Sequence, residues 1–201
     1  MKRLLIALCL VIAACPLLRA EALTPAELSR AEEYLDKTRD GVIEATRGLS
    51  PAQLNFKPAP DRWSVAEVTE HLAATEGFLM NMVLTQVMTA PARAEATDVK
   101  AIDELVLKAI PDRTTKLKAP EPLVPTNRFN TPADSLKQFK EGRAKTSIFL
   151  KEAKDLRDHA LDSPLGKKLD GYQWVLFIAA HSDRHTKQML EVKADPNFPK
   201  N

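Results

Sequence analysis

His181 and His185 stand four residues apart near the C-terminal end of the chain. On a helix, residues at that interval project from successive turns of one face, so two imidazoles point toward a common place. Zinc-binding helices of the H-E-x-x-H kind use the same interval, although the intervening glutamate is absent here. Trp174, Ile178, Gln188 and Val192 extend the stripe in steps of three and four, which assigns both histidines to a core-facing side. A third histidine, His71, lies beside Leu72 at the border of another apolar stripe, from which it can turn inward or outward. Were it to meet the pair, three neutral imidazoles would hold a divalent ion at roughly 2.0–2.1 Å for zinc and leave one position open. Such an ion polarises a substrate oxygen and lowers the pKa of a bound water. The competing reading makes His181 and His185 buried polar residues satisfied by backbone or water, and His71 a helix-surface residue. His159 falls near an expected helix end, where an imidazolium favours the dipole, and is read as structural.

The elements that must position these residues are helices. Thr24-Pro25-Ala26-Glu27 is a capping box with proline at the first helical position, and it predicts a long helix over about 25–47 with Gly48 as its C-terminal cap. Ser50-Pro51-Ala52-Gln53 starts a short turn of helix. Ser64-Val65-Ala66-Glu67 starts a second long one, reaching about Met88 with Val65, Val68, Leu72, Leu79, Met82 and Val83 on one face. A shorter helix is expected from Asp98 to Ile110, and two further long ones over about 132–157 and from near Asp170 to before Pro196. Pro111, Pro120, Pro122 and Pro125 keep the stretch between extended, long enough to travel the bundle or cover one end. No stretch alternates like a strand, so the fold class is all-α: a four-helix bundle with a long proline-rich crossover and short extra helices.

The 201 residues suit one domain, and 44% apolar with 28% charged residues exclude wholesale disorder and a polytopic membrane protein. Lys2 and Arg3 precede an apolar run to Ala14, and Ala20-Glu21-Ala22 offers a cleavage site, so residues 1–22 read as a signal peptide and 23–201 as the bundle domain. The expected location is exported, periplasmic or secreted, without stable membrane insertion after cleavage; a lipoprotein processed at Cys15 is the minor alternative. Without the signal, 26 basic and 26 acidic residues remain. That neutrality, with aromatic residues at only 5%, argues against a nucleic-acid partner. Both cysteines, Cys9 and Cys15, lie in the signal, so a metal must use His, Asp or Glu. The six glycines form no phosphate-binding motif.

Trp63-Ser64-Val65-Ala66-Glu67-Val68-Thr69-Glu70-His71-Leu72 and His181-Ser182-Asp183-Arg184-His185-Thr186-Lys187-Gln188 resemble the two signature segments of the DinB-like superfamily, over roughly residues 26–192. The resemblance implies a four-helix bundle in which His71, His181 and His185 bind a divalent metal. Members include thiol-dependent transferases, a mycothiol-dependent maleylpyruvate isomerase and proteins described as metal-dependent hydrolases. An export signal departs from the family pattern and sets a cytosolic thiol cosubstrate in question.

Glu67, one turn before His71, is the nearest candidate for a catalytic proton shuttle, in competition with its role in the Ser64 capping box. Glu70 points about 100° away from His71 on an ideal helix and Glu76 lies five residues later, so both are weaker choices. Gln188 can orient a ligand or sit as a core-edge amide. Trp63 and Trp174 read as packing anchors, and Arg184 suits either an ion pair or an anionic substrate. Two function classes remain: an exported metal-dependent hydrolase or transferase acting on a small molecule, or a non-catalytic metal-binding or stress-associated bundle. Zinc is the default ion, with nickel, iron and copper compatible with imidazole. An apolar stripe on an outer helix leaves a homodimer open.

Overall fold

The computed structural model describes residues 22–94 and 97–200. The expected signal segment therefore lies outside the described residues, apart from Ala22. Four long helices form the body: α1 (Pro25–Thr46), α3 (Val65–Met82), α5 (Pro132–Glu152) and α6 (Gly171–Lys193), with the short α2 (Pro51–Asn55) and α4 (Val99–Ala109) between them. Reciprocal capping boxes start α1, α2, α3 and α6 at Thr24, Ser50, Ser64 and Asp170, each side chain accepting from the third residue on while that residue reaches back. Each such cap stabilises its helix by about 1 kcal/mol.

Helix α1 packs on α6 and α5, and α3 packs on α5 and α6, so the four close a ring in which α1 lies diagonal to α3. Helix α4 lies against α6. A strap over residues 110–131, holding a turn of 3₁₀ helix at Glu121–Leu123, connects α4 to α5. Among the described residues no helix is long and apolar enough to cross a membrane.

Four expectations need correction. The second long helix does not continue regularly to Met88: after Met82 it widens into a π-helical turn, Val83–Val87. Helix α5 ends at Glu152 rather than 157, because the chain turns to send Arg157 inward. There Arg157 meets Asp103 at 2.7 and 2.9 Å, Asp170 at 3.0 Å and Glu27 at 2.7 Å, over the ring of Tyr172. Finally, a small antiparallel hairpin, β1 (Ala160–Asp162) and β2 (Lys168–Asp170), precedes α6. Three-residue strands are too short for a period of two to register in sequence. His159 lies beyond the end of α5, so it caps no dipole; its Nδ1 bonds the carbonyl of Ala90.

The core has two apolar halves. Leu35, Leu79, Leu150, Tyr172 and Leu176 belong to one, and Val42, Leu72, Phe139, Met189 and Val192 to the other. Every long helix places buried polar residues between these halves or at the edge of one: Thr38 on α1, His71 and Glu76 on α3, Arg143 and Thr146 on α5, Ser182 and His185 on α6. A polar layer thus cuts the bundle near its middle.

Candidate metal centre

One side of that layer is the histidine cluster. His71, His181 and His185 are brought together, with one ring nitrogen of each within 4.8 Å of the others. His71 Nε2 lies 3.4 Å from His181 Nε2, which lies 3.1 Å from His185 Nε2. Helix α6 supplies two rings from successive turns, and α3 supplies the third from across the bundle. His71 has turned inward, which its border position in the sequence left undecided.

The opposite ring nitrogens fix the tautomers of His71 and His185. His71 Nδ1 is 2.8 Å from the carbonyl oxygen of Leu123, which can only accept, so Nδ1 carries the proton and Nε2 keeps its lone pair. His185 Nδ1 likewise donates to Gln188 Oε1 at 2.8 Å. Arg113 Nη1 points at the same amide oxygen from 3.4 Å, which agrees with that orientation of the amide. Both of these lone pairs face His181 Nε2, a focus that a shared cation or a proton on that nitrogen can fill. Four ligands arranged tetrahedrally at 2.0–2.1 Å would stand about 3.3 Å apart, close to the spacing found. The donor set, the spacing and the carbonyl and amide behind the rings all fit a divalent ion.

Electrostatics keep the rings neutral. Burial pushes His71, His181 and His185 below the ordinary histidine value, the last two far below, and charge on the neighbouring imidazoles adds to this for those two. Arg128 acts on His71 in the same sense, as do Arg184 and Arg143 on His181 and Arg113 on His185. Neutral imidazole is the ligating form.

The walls are aromatic. The Trp63 ring lies 4.9 Å from that of His71 and 6.4 Å from that of His185, and Phe177 stacks on His181 at 6.4 Å. Trp63 therefore packs, as expected, but against the histidines themselves. Trp174 packs on Phe177, away from the cluster. Thr75, one turn after His71, places its hydroxyl 3.5 Å from His71 Nε2. Its i+4 spacing was a usable signal that the sequence reading passed over. Among the described residues no Asp, Glu, Cys or fourth His joins the group.

Residues 34–189 match the DinB superfamily. The chain belongs to that superfamily. The Bacillus subtilis protein YuaE is 31% identical over 148 residues, covering 73% of this chain and 87% of its own length. YfiT, also from Bacillus subtilis, has a solved structure described as that of a probable metal-dependent hydrolase with an unusual four-helix bundle topology. It superposes with a TM-score of 0.56 at 17% identity, over 89% of this chain and 93% of its own. At that identity the likeness establishes the shared fold.

For this DinB superfamily member the carboxylates fall into distinct places. Glu67 accepts from the Ser64 backbone at 2.8 Å and from Lys57 at 2.9 Å, which is the capping role, and it makes no hydrogen bond to the histidines. Glu70 turns away from the cluster to the strap, and Glu76 pairs with Arg143 inside the polar layer. Arg184 fulfils neither expected role: it donates to the carbonyls of Ile110, Asp112 and Thr115 and fastens the strap to α6.

Proposed function

We propose that this protein is an exported metal-dependent enzyme, a hydrolase or transferase, that acts on a small molecule at a divalent ion held by His71, His181 and His185. Zinc is the default, with nickel, iron or copper also suited to three imidazoles. The observation that carries the reading is the convergence of three Nε2 atoms, spaced 3.1 and 3.4 Å along the cluster, with the opposite nitrogens of His71 and His185 tied to Leu123 and Gln188. The shared fold with YfiT supports the hydrolase class.

A divalent ion there would supply Lewis acidity toward a substrate oxygen. The chain's own residues do the rest. Leu123 and Gln188 hold the imidazoles in the ligating tautomer, Trp63 and Phe177 keep bulk water from two sides, and the Thr75 hydroxyl offers a hydrogen bond to an oxygen that reaches the cluster. Glu67 could carry a proton only by leaving its cap and Lys57.

A second reading is a non-catalytic metal-binding bundle. It is favoured by the close packing of Trp63 on His71 and His185 and of Phe177 on His181, aromatic rings that crowd the cluster. Nucleic acid has no place in either reading, and a homodimer is compatible with both.

Elemental analysis of the purified mature protein beside His71→Ala and His185→Ala tests the proposal. One equivalent of metal in the parent and none in the variants is the expected result. A parent that stays metal-free after reconstitution with zinc, nickel, iron and copper overturns it.

A further inference from the structure

The strap is joined to the histidine cluster by more than one bond, and the bonds form a chain. Glu70, the residue before His71, spends its carboxylate on three successive backbone N–H groups of the strap: Thr126 at 2.8 Å, Asn127 at 2.9 Å and Arg128 at 3.1 Å. Arg128 Nε adds a fourth bond to the same carboxylate at 3.2 Å. The rest of that guanidinium reaches back along the strap, with Nη1 2.9 Å from the Pro122 carbonyl and Nη2 2.6 Å from that of Val124. Those carbonyls bracket Leu123, whose own carbonyl receives the proton of His71 Nδ1 at 2.8 Å.

We propose that Glu70 and Arg128 are positioning residues for the metal centre: together they hold the Leu123 carbonyl against His71, so that order in the strap and ion binding are a single coupled equilibrium. This rests on the reading of the histidine cluster as a metal site. A planar guanidinium can satisfy one carboxylate and two flanking carbonyls at once, which a lysine ammonium on a flexible stem cannot do in that geometry. Partners behind a metal-ligating histidine fix its tautomer and ring orientation, and losing them weakens metal binding by about 10–100-fold. Coupling is reciprocal, so an ion that needs His71 oriented also protects the strap from opening. The proline-rich composition of residues 111–130 serves this purpose, because a stiff extended segment transmits its anchoring at 126–128 to Leu123 with little slack.

The test uses the whole mature protein and zinc competed against a chelator, with parent, Arg128→Ala, Arg128→Lys, Glu70→Gln and Lys57→Ala compared. Arg128→Ala and Glu70→Gln should bind about 10–100-fold more weakly. Arg128→Lys should not restore the affinity, and Lys57→Ala, which breaks a neighbouring half-exposed ion pair, should match the parent. Zinc should slow proteolytic cleavage within residues 111–131 in the parent and fail to do so in Arg128→Ala. The His71 Nδ1 proton should give a resolved downfield resonance in the zinc-loaded parent and broaden in that variant. If Arg128→Ala fails to fold, Arg128→Lys carries the affinity comparison alone, since it keeps the charge beside Glu70. Parent-like affinity in Arg128→Ala, or in Arg128→Lys where it stands alone, with a freely cleaved strap overturns the coupling and leaves the metal site intact. A parent that binds no zinc overturns the coupling together with the site.

Discussion

The buried polar layer has two sides, and they solve the same problem differently. On one, Arg143 is fully buried, with Nε and Nη2 on Glu76 at 2.8 and 2.9 Å, Nη1 on Thr38 and the Leu35 carbonyl, and Nη2 also on Ser182. Thr146 completes Glu76 at 2.8 Å. Every charge there meets its opposite. On the other side the Nε2 lone pairs of His71 and His185 both face His181 Nε2, and the Thr75 hydroxyl approaches His71 Nε2 from 3.5 Å. Among the described residues no opposite charge stands beside these rings, which leaves the point between them open to a cation. The first network is closed by its own charges; the second gathers neutral donors at one point, as the proposed metal site requires.

Breaking the saturated side should have the largest effect. Arg143→Met leaves the Glu76 carboxylate buried without its cation and should cost about 3–5 kcal/mol, measured by denaturant unfolding. Loss of less than about 1 kcal/mol would mean that the Glu76 charge is not buried as described, and the contrast between the two sides would fail. Sharpening the unsaturated side calls for Gln188→Ala, which frees His185 Nδ1. Zinc affinity should fall about 10–100-fold while the metal-free protein unfolds within about 1 kcal/mol of the parent.

Acidification should separate the two sides next. The folded-state values of the three histidines lie below the ordinary 6.5, so they stay neutral at that pH and zinc should be retained as pH falls through 6.5. In the metal-free protein the same shift has the opposite consequence for stability. Below 6.5 the unfolded chain takes up protons that the folded chain refuses, so these groups destabilise the fold as pH falls further. Zinc release monitored with a chromophoric chelator that begins above pH 6.5 would contradict neutral, buried rings. The smallest effect belongs to Glu67→Gln, which keeps a capping-capable side chain and should shift stability by less than about 1 kcal/mol with zinc binding unchanged. A turnover assay that loses most of its rate in this variant would return Glu67 to the chemistry.

The sequence made the helices legible because their starts are spelled out: Thr24, Ser64 and Asp170 each precede a residue that closes a capping box. The pairing of His181 with His185 was legible from their interval, and the meeting with His71 came from the family resemblance, since nothing local to His71 says which way it turns. Arg143 lies four residues after buried Phe139 and seven before buried Leu150, squarely inside the apolar stripe of α5. A cation at that register is the signal of a buried partner, which assigns Glu76 to an ion pair rather than to catalysis. Gly142 was a second clue: a Cβ there would stand 2.9 Å from Glu76 Cγ, so the close approach of α3 and α5 around the ion pair requires glycine. The strap was legible as a long crossover. Its attachment through Glu70 and Arg128 was not, because bonds to backbone N–H and carbonyl groups leave no trace in residue type. The hairpin and the inward turn at Arg157 escaped for the same reason as any short, long-range contact.

X-ray absorption at the zinc edge of the reconstituted mature protein tests the central claim most directly. Three imidazole nitrogens at roughly 2.0–2.1 Å and at least one further light scatterer from outside the chain is the predicted first shell. A spectrum with fewer than three imidazoles, or with a carboxylate from the chain completing the sphere, would contradict it.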